Sequence, residues 1–173
     1  MRNCLLLVVA CFALLVSCES EVNEMDLSCE DHAEHIYALE KDLAESGYPE
    51  EKIRVLLVSY ANYANKCAGD TLVPEFLFRR ADVLRGQGKI RQAIKEFKGI
   101  HDGYPNFDKK ATCAFLTAFL YETELNDDEM AEKLYLQVVE LYPDSHEAEV
   151  ASIALQFIGE TPEELLNRLQ KNE

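Results

Sequence analysis

Along most of this chain, apolar side chains recur at steps of three and four residues, the spacing of one face of an α-helix. The cleanest stripe is Ile90, Ala93, Ile94, Phe97 and Ile100. A second runs through Met130, Ala131, Leu134, Tyr135, Val138 and Val139. Weaker stripes carry Ile36, Leu39 and Leu43 with Ala33 and Tyr37; Ile53, Leu56, Leu57 and Tyr60 with Tyr63 or Ala64; and Ala111, Ala114, Phe115, Ala118, Phe119 and Tyr121. The strict alternation of a half-buried strand is absent, so the expected class is all-α. Eight helices are predicted: 30–46, 49–66, 72–85, 89–101, 108–125, 127–141, one capped by Asp144 and ended by Gly159, and one over 161–170.

The breaks between stripes carry their own chemistry. Gly47-Tyr48-Pro49 stops one helix and opens the next, Gly86-Gln87-Gly88 makes a tight turn, and Gly103-Tyr104-Pro105 closes a pair. Thr161-Pro162-Glu163-Glu164 reads as a hydroxyl cap followed by Pro at the first helical position. The set Ala93, Phe97, Ile100, Pro105 returns as Ala131, Tyr135, Val138, Pro143, with intervals of four, three and five residues and an offset of 38. Asn126 then stands where Gly88 stood, and Asn is the residue after Gly that best tolerates a left-handed turn. A small residue, an aromatic and a closing proline at a fixed period signal stacked helical hairpins that share one core. Helices 30–46 and 49–66 read as a further, divergent hairpin, which gives a superhelical stack of about four antiparallel pairs.

The N-terminus breaks the pattern. Met1-Arg2-Asn3 is followed by an uncharged, mostly apolar run from Cys4 to Val16, too short to span a bilayer, which takes about 20 residues. Leu15-Val16-Ser17-Cys18 resembles a bacterial lipoprotein signal, which implies removal of residues 1–17 and acylation of Cys18. An anchor of several acyl chains holds a protein without a spanning helix. Glu19 after that cysteine is compatible with the outer membrane, on its periplasmic or surface face. Residues 18–29 are expected as an acidic tether, either a solvated spacer or a surface-sorting signal, and 30–173 as the helical domain. The chain carries 32 acidic against 17 Lys and Arg, a formal −15, which becomes −16 once Arg2 is removed. Such a surface repels phosphate backbones and anionic lipid, so no nucleic acid is expected and membrane contact comes through the anchor only.

Leu77, Ala81, Leu84, Gly88, Ala93, Phe97 and Pro105, with Ala118, Asn126, Ala131, Tyr135 and Pro143, resemble the tetratricopeptide repeat family over roughly residues 70–170. The offset of 38 exceeds the usual 34 of that family. The Tyr142-Pro143-Asp144-Ser145 turn before an Ala-rich helix is similar to exported bacterial members of envelope assembly, the group of the Tol-Pal coordinator and the β-barrel assembly lipoprotein. The resemblance implies a non-catalytic adaptor or assembly factor that binds an envelope protein or peptide. In the family the first helix of each pair lines the concave face, which implies a groove at Glu75, Phe78, Asp82, Arg85, Phe115, Phe119 and Glu122. The same phenylalanines also read as core, because the helix around Phe115 and Phe119 is apolar on most sides. The alternative function is ligand capture, of glycan or another nutrient, beside a transporter.

Candidate chemistry outside the repeats is sparse. Cys29 and Cys67 flank the first hairpin, whose antiparallel ends meet, so a disulfide is one reading and two free thiols the other. Cys113 reads as a small core hydrophobe. His32 and His35 lie three apart among acidic residues, either as a metal pair or as incidental members of an exposed polar face. The sequence holds no nucleophile–base motif, phosphate loop or zinc spacing, so neither an enzyme nor a cofactor is expected.

Overall fold

The structure, a computed structural model, describes residues 23–160 together with 163, 164, 167 and 170. The expected leader over 1–17, Cys18, the start of the tether and most of the helix expected over 161–170 lie outside the described residues. Among residues 23–160 seven helices follow one another: α1 (Cys29–Glu45), α2 (Glu50–Lys66), α3 (Val73–Gly86), α4 (Ile90–Gly103), α5 (Lys110–Thr123), α6 (Asp128–Leu141) and α7 (His146–Ala154). Among the described residues there is no strand, and no helix is long and apolar enough to cross a membrane. Each helix packs on the next in order, and α5 also meets α7. The result is an all-α stack of antiparallel hairpins, α1/α2, α3/α4 and α5/α6, with α7 continuing the array.

Short polar side chains start three of these helices. Ser28 Oγ accepts the Asp31 N–H at 3.1 Å, the Asp127 carboxylate accepts that of Met130 at 3.1 Å, and Ser145 Oγ accepts that of Ala148 at 3.1 Å. The cap of α7 is thus Ser145, not Asp144. The Ser145 N–H donates to the Tyr142 carbonyl at 2.9 Å, which closes a turn and leaves Asp144 inside it. Helix α5 is shorter than 108–125 for a similar reason. Tyr104–Phe107 and Phe107–Lys110 form consecutive turns ahead of it, and Asp127 N–H folds back to Tyr121 O at 2.9 Å behind it. Gly88 and Asn126, one period apart, both adopt left-handed backbone, with φ of 67° and 51°.

The repeated positions form the core. Ala93, Phe97, Ile100 and their counterparts Ala131, Tyr135 and Val138 are all buried to 1% exposure or less. Alanine at the crossing lets two helices approach, and each buried ring or aliphatic contributes roughly 1.5–3 kcal/mol. Cys113 is likewise fully buried, and burial pushes its thiol up to about 12. Around Phe76 the first two hairpins share a cluster of rings: Tyr63 meets it edge-on at 4.8 Å, with Tyr37 at 5.5 Å and Tyr60 at 5.8 Å.

Cys29, the first residue of α1, is disulfide-bonded to Cys67 at the end of α2, with Cα atoms 6.0 Å apart. The bond ties together the two ends of the first hairpin, 38 residues apart in sequence. Restricting the unfolded chain over a loop of that size stabilises by about 3–4 kcal/mol. Reduction of the purified protein is therefore expected to lower its urea midpoint by that equivalent, and a Cys29→Ser, Cys67→Ser variant to unfold alike with or without reductant. Identical midpoints for oxidised and reduced wild type would rule the bond out.

Candidate partner-binding face

On α3, Glu75, Arg79 and Asp82 follow one another at helical spacing and share a face with Tyr37 and Glu40 of α1. Arg79 Nη1 donates to both Glu40 oxygens, at 2.8 and 3.0 Å, and Arg79 Nε donates to Glu75 at 2.9 Å. The second Glu75 oxygen accepts from Lys109 Nζ, just ahead of α5, at 2.7 Å. Further along, Thr112 of α5 donates to Glu147 of α7 at 2.6 Å. Acid and base alternate from α1 to α3 to the start of α5, and the first helices are laced together along one side. The Arg79 guanidinium also lies 5.6 Å from the Tyr37 ring centre and 5.9 Å from that of Phe76.

This lacing sets the ionisation of its members. Burial works against charge on Arg79, but hydrogen bonds and charge from Glu75 and Glu40 outweigh it and hold the guanidinium above its ordinary value. Burial also works against charge on Glu75, and Lys109 with Arg79 still holds that carboxyl below the usual range. Tyr60 Oη donates to the same Glu40 at 2.6 Å, and burial, followed by that carboxylate, pushes its phenol up.

The residues expected to line a groove divide into two groups. Glu75 and Asp82 lie on this face, with Asp82 exposed and paired to Arg85 on its own helix at 2.7 Å. The phenylalanines are packed. Phe78 turns toward α4, with its ring 5.5 Å from Phe97 and 6.3 Å from Phe107, and Lys109 Nζ covers it at 4.9 Å. Phe115 and Phe119 stack at 6.2 Å, and Phe115 lies 5.7 Å from Tyr135. All three are half-buried members of the core, so the reading of them as exposed anchors is replaced by the core reading.

Glu122 has a structural task. Its Oε2 accepts the Tyr135 hydroxyl at 2.7 Å, and burial followed by this carboxylate pushes the phenol up. One period earlier the corresponding pair is Leu84 and Phe97, both buried. A hydroxyl added to the core aromatic is matched by an acceptor on the facing helix, as a buried O–H requires. Sequence reasoning missed Tyr37, Glu40, Arg79 and Lys109. The Glu75–Arg79 spacing was legible as an i,i+4 pair, but nothing local announces a contact between Glu40 and Arg79.

The two N-terminal histidines differ from expectation. His32 is fully buried, because it lies on the row of Ile36 and Leu43 that faces α2. Its Nε2 lies 3.3 Å from Ser59 Oγ and its ring meets Tyr63 edge-on at 5.4 Å, while Nδ1 has no hydrogen-bond partner among the described residues. Glu24 bridges the pair, 3.7 Å from His32 Nε2 and 3.6 Å from His35 Nε2. Among the described residues no group of three His, Cys, Asp or Glu is arranged to hold a metal ion. Residues 23–28, expected as tether, are folded onto α2. Asn62 Nδ2 donates to Glu24 at 2.7 Å, and Lys66 Nζ donates to the carbonyls of Glu24, Met25 and Leu27.

A second polar cluster joins the ends of two pairs. Tyr142 Oη lies 2.8 Å from His101 Nε2, and His101 Nδ1 lies 2.8 Å from Asp102. It ties the end of α4 to the end of α6.

This stack of hairpins has the architecture of a helical-repeat fold. Residues 113–145, which cover most of α5, all of α6 and the turn after it, match the family model of the tetratricopeptide repeat. The chain therefore contains a tetratricopeptide repeat at its second internal copy, and such repeats generally mediate protein–protein interaction. No curated protein matches the chain.

Two measurements test the side chains just described. In a double-mutant cycle, Tyr135→Phe and Glu122→Leu are each expected to lower stability by about 1–2 kcal/mol, and the double variant by less than their sum, since it recreates the apolar pair of the first copy. Strict additivity would mean that the bond does not form. Burial, opposed by Glu24 and aided by His35 and Lys66, holds the His32 imidazole below 6.5. The unfolded chain then takes up the proton first as pH falls below 6.5, so this site's contribution is complete above that value and declines toward its folded value. The urea midpoint should fall as pH drops below 6.5, and the fall should be shallower in His32→Phe. Equal slopes would show that His32 is not what titrates.

Proposed function

We propose that this protein is a non-catalytic adaptor or assembly factor of the bacterial cell envelope, anchored by lipid at Cys18. It holds a protein or peptide partner on the face shared by α1, α3 and α5. The observation that carries this reading is the tetratricopeptide repeat at 113–145 within a stack whose first helices are already locked side by side. A face ordered before its partner arrives loses little conformational entropy on binding. Tyr37, 41% exposed and backed by Phe76 and Arg79, supplies an aromatic contact there, and Glu75, Asp82 and Glu40 supply acceptors. The acidic excess favours a basic or neutral partner by steering and by exclusion of acidic ones. The Leu15–Cys18 signal and the turn at 142–145, similar to exported repeat proteins of envelope assembly, support the envelope location.

The test is site-specific photocrosslinking in cells. A photoreactive residue at Tyr37 or Asp82 is expected to trap one envelope protein that the same residue at Leu136, exposed on α6, does not trap. Trapping from Leu136 alone would move the binding surface to the second helices and overturn the assignment of the face. Trapping from none of the three would overturn the adaptor reading.

A further inference from the structure

If Cys18 carries the anchor, the distance from lipid to folded protein depends on where rigid structure begins. It begins earlier than the acidic composition of 18–29 implied. Asn23 makes a turn with Asp26, through its carbonyl to the Asp26 N–H at 2.9 Å and its side chain to the Asp26 carboxylate at 2.7 Å. From Glu24 onward the segment is fastened to α2 by Asn62 and Lys66, and from Cys29 it is fastened covalently to Cys67. Only residues 19–22 separate the acylated cysteine from this clamp. At 3.3–3.6 Å per residue, five steps reach at most about 18 Å. The headgroup layer itself takes up several ångströms of that reach, since it adds about 10–15 Å to the hydrocarbon thickness over both leaflets.

The clamp also fixes which surface is presented. Asn23, Glu24 and Met25 border a shallow groove together with His35, Leu39, Val55, Val58 and Asn62. This is the outer side of the first hairpin, where an array would place another hairpin and none precedes it in the described chain. Met25 is 57% exposed, Val58 48% and Val55 37%. Arg54, its one cation, is paired to Glu51 on the same helix, so the groove offers apolar contact and little net attraction to anionic lipid.

We propose that this outer side of α1 and α2 is the membrane-facing end of the protein, held against the bilayer surface by the short leash of residues 19–22. The stack then projects away from the lipid. With packed helices about 8–10 Å apart, α7 stands several layers further out, and the face of α1, α3 and α5 runs outward from the membrane rather than along it. The inference rests on the anchor reading above, and deepens it by fixing the orientation that the anchor imposes.

The experiment uses the acylated full-length mature protein in vesicles of phosphatidylethanolamine doped with spin-labelled phosphatidylcholine. An environment-sensitive fluorophore is attached to Val58→Cys or, at the far end, to Ile153→Cys; the remaining cysteines are buried, bonded or acylated. Quenching by the labelled lipid is expected to be several-fold stronger at position 58 than at 153, and to drop when a long Gly-Ser spacer is inserted after Val22. Equal quenching at the two positions, with acyl mass present on Cys18, would overturn the orientation and leave the anchor reading intact. A mature protein whose N-terminal peptide carries no acyl mass would overturn both, and mass spectrometry separates these two failures.

Discussion

A single α-hairpin has too little apolar surface to close on itself, and the whole chain is arranged around that constraint. Its helices must bury one face against their own partner and another against the next pair. Alanine at 93 and 131 brings the backbones close, and an aromatic at 97 and 135 fills the space between pairs; none of the four is exposed. Leu84 and Glu122, one period apart, differ as the repeated aromatics do: a buried leucine accompanies the buried Phe97, and a carboxylate accepts the hydroxyl of Tyr135. Turn chemistry follows the same period, with Gly88 and Asn126 supplying the left-handed residue that starts each return.

Packing joins the first helices mainly through the second helices between them and through the Tyr37–Phe76 ring contact, because α1 and α3, and α3 and α5, touch little through backbone proximity. The polar chain from Glu40 through Arg79 and Glu75 to Lys109 fixes their relative position. Such half-buried pairs contribute modestly to stability, because desolvation offsets much of the attraction. Their effect is on geometry: one guanidinium shared between two helices, and one carboxylate shared between a helix and the next turn, define a single register for the surface offered to a partner.

The helices and the period were legible because they are local. Stripes at three and four residues, Gly and Pro at the breaks, and the 38-residue offset all appear in the order of the letters. The face was less legible. Phe78, Phe115 and Phe119 stand on helices whose first-position role suggests a groove, yet their rings turn toward Phe97, Phe107 and Tyr135. Helical phase places a side chain on a side, and a half-turn of difference decides whether it meets solvent or the next pair. His32 shows the same limit, since its neighbours in sequence are acidic and polar while its neighbours on the helix row are Ile36 and Leu43. Glu40 and Arg79 are 39 residues apart and have no shared motif, so their contact exists only once the hairpins are stacked.

The concentration of special features at the N-terminal end has one physical origin. Among the described residues, interior pairs are covered on both sides, whereas the first has a neighbouring hairpin on one side only and makes good the missing burial and hydrogen bonding by other means. The disulfide at Cys29 and Cys67 closes its open ends. Residues 23–28 cover part of the exposed row of α2, and Lys66, at the last turn of that helix, satisfies carbonyls of the incoming chain. Glu24 sits between two imidazoles, one fully buried, where an uncovered hairpin would have left His32 open to water. These devices cap the array and at the same time shorten the chain between the fold and Cys18. Stabilising the terminal pair and, in the anchoring proposed for Cys18, fixing its distance from the lipid are achieved together by residues 23–28 and the side chains that hold them.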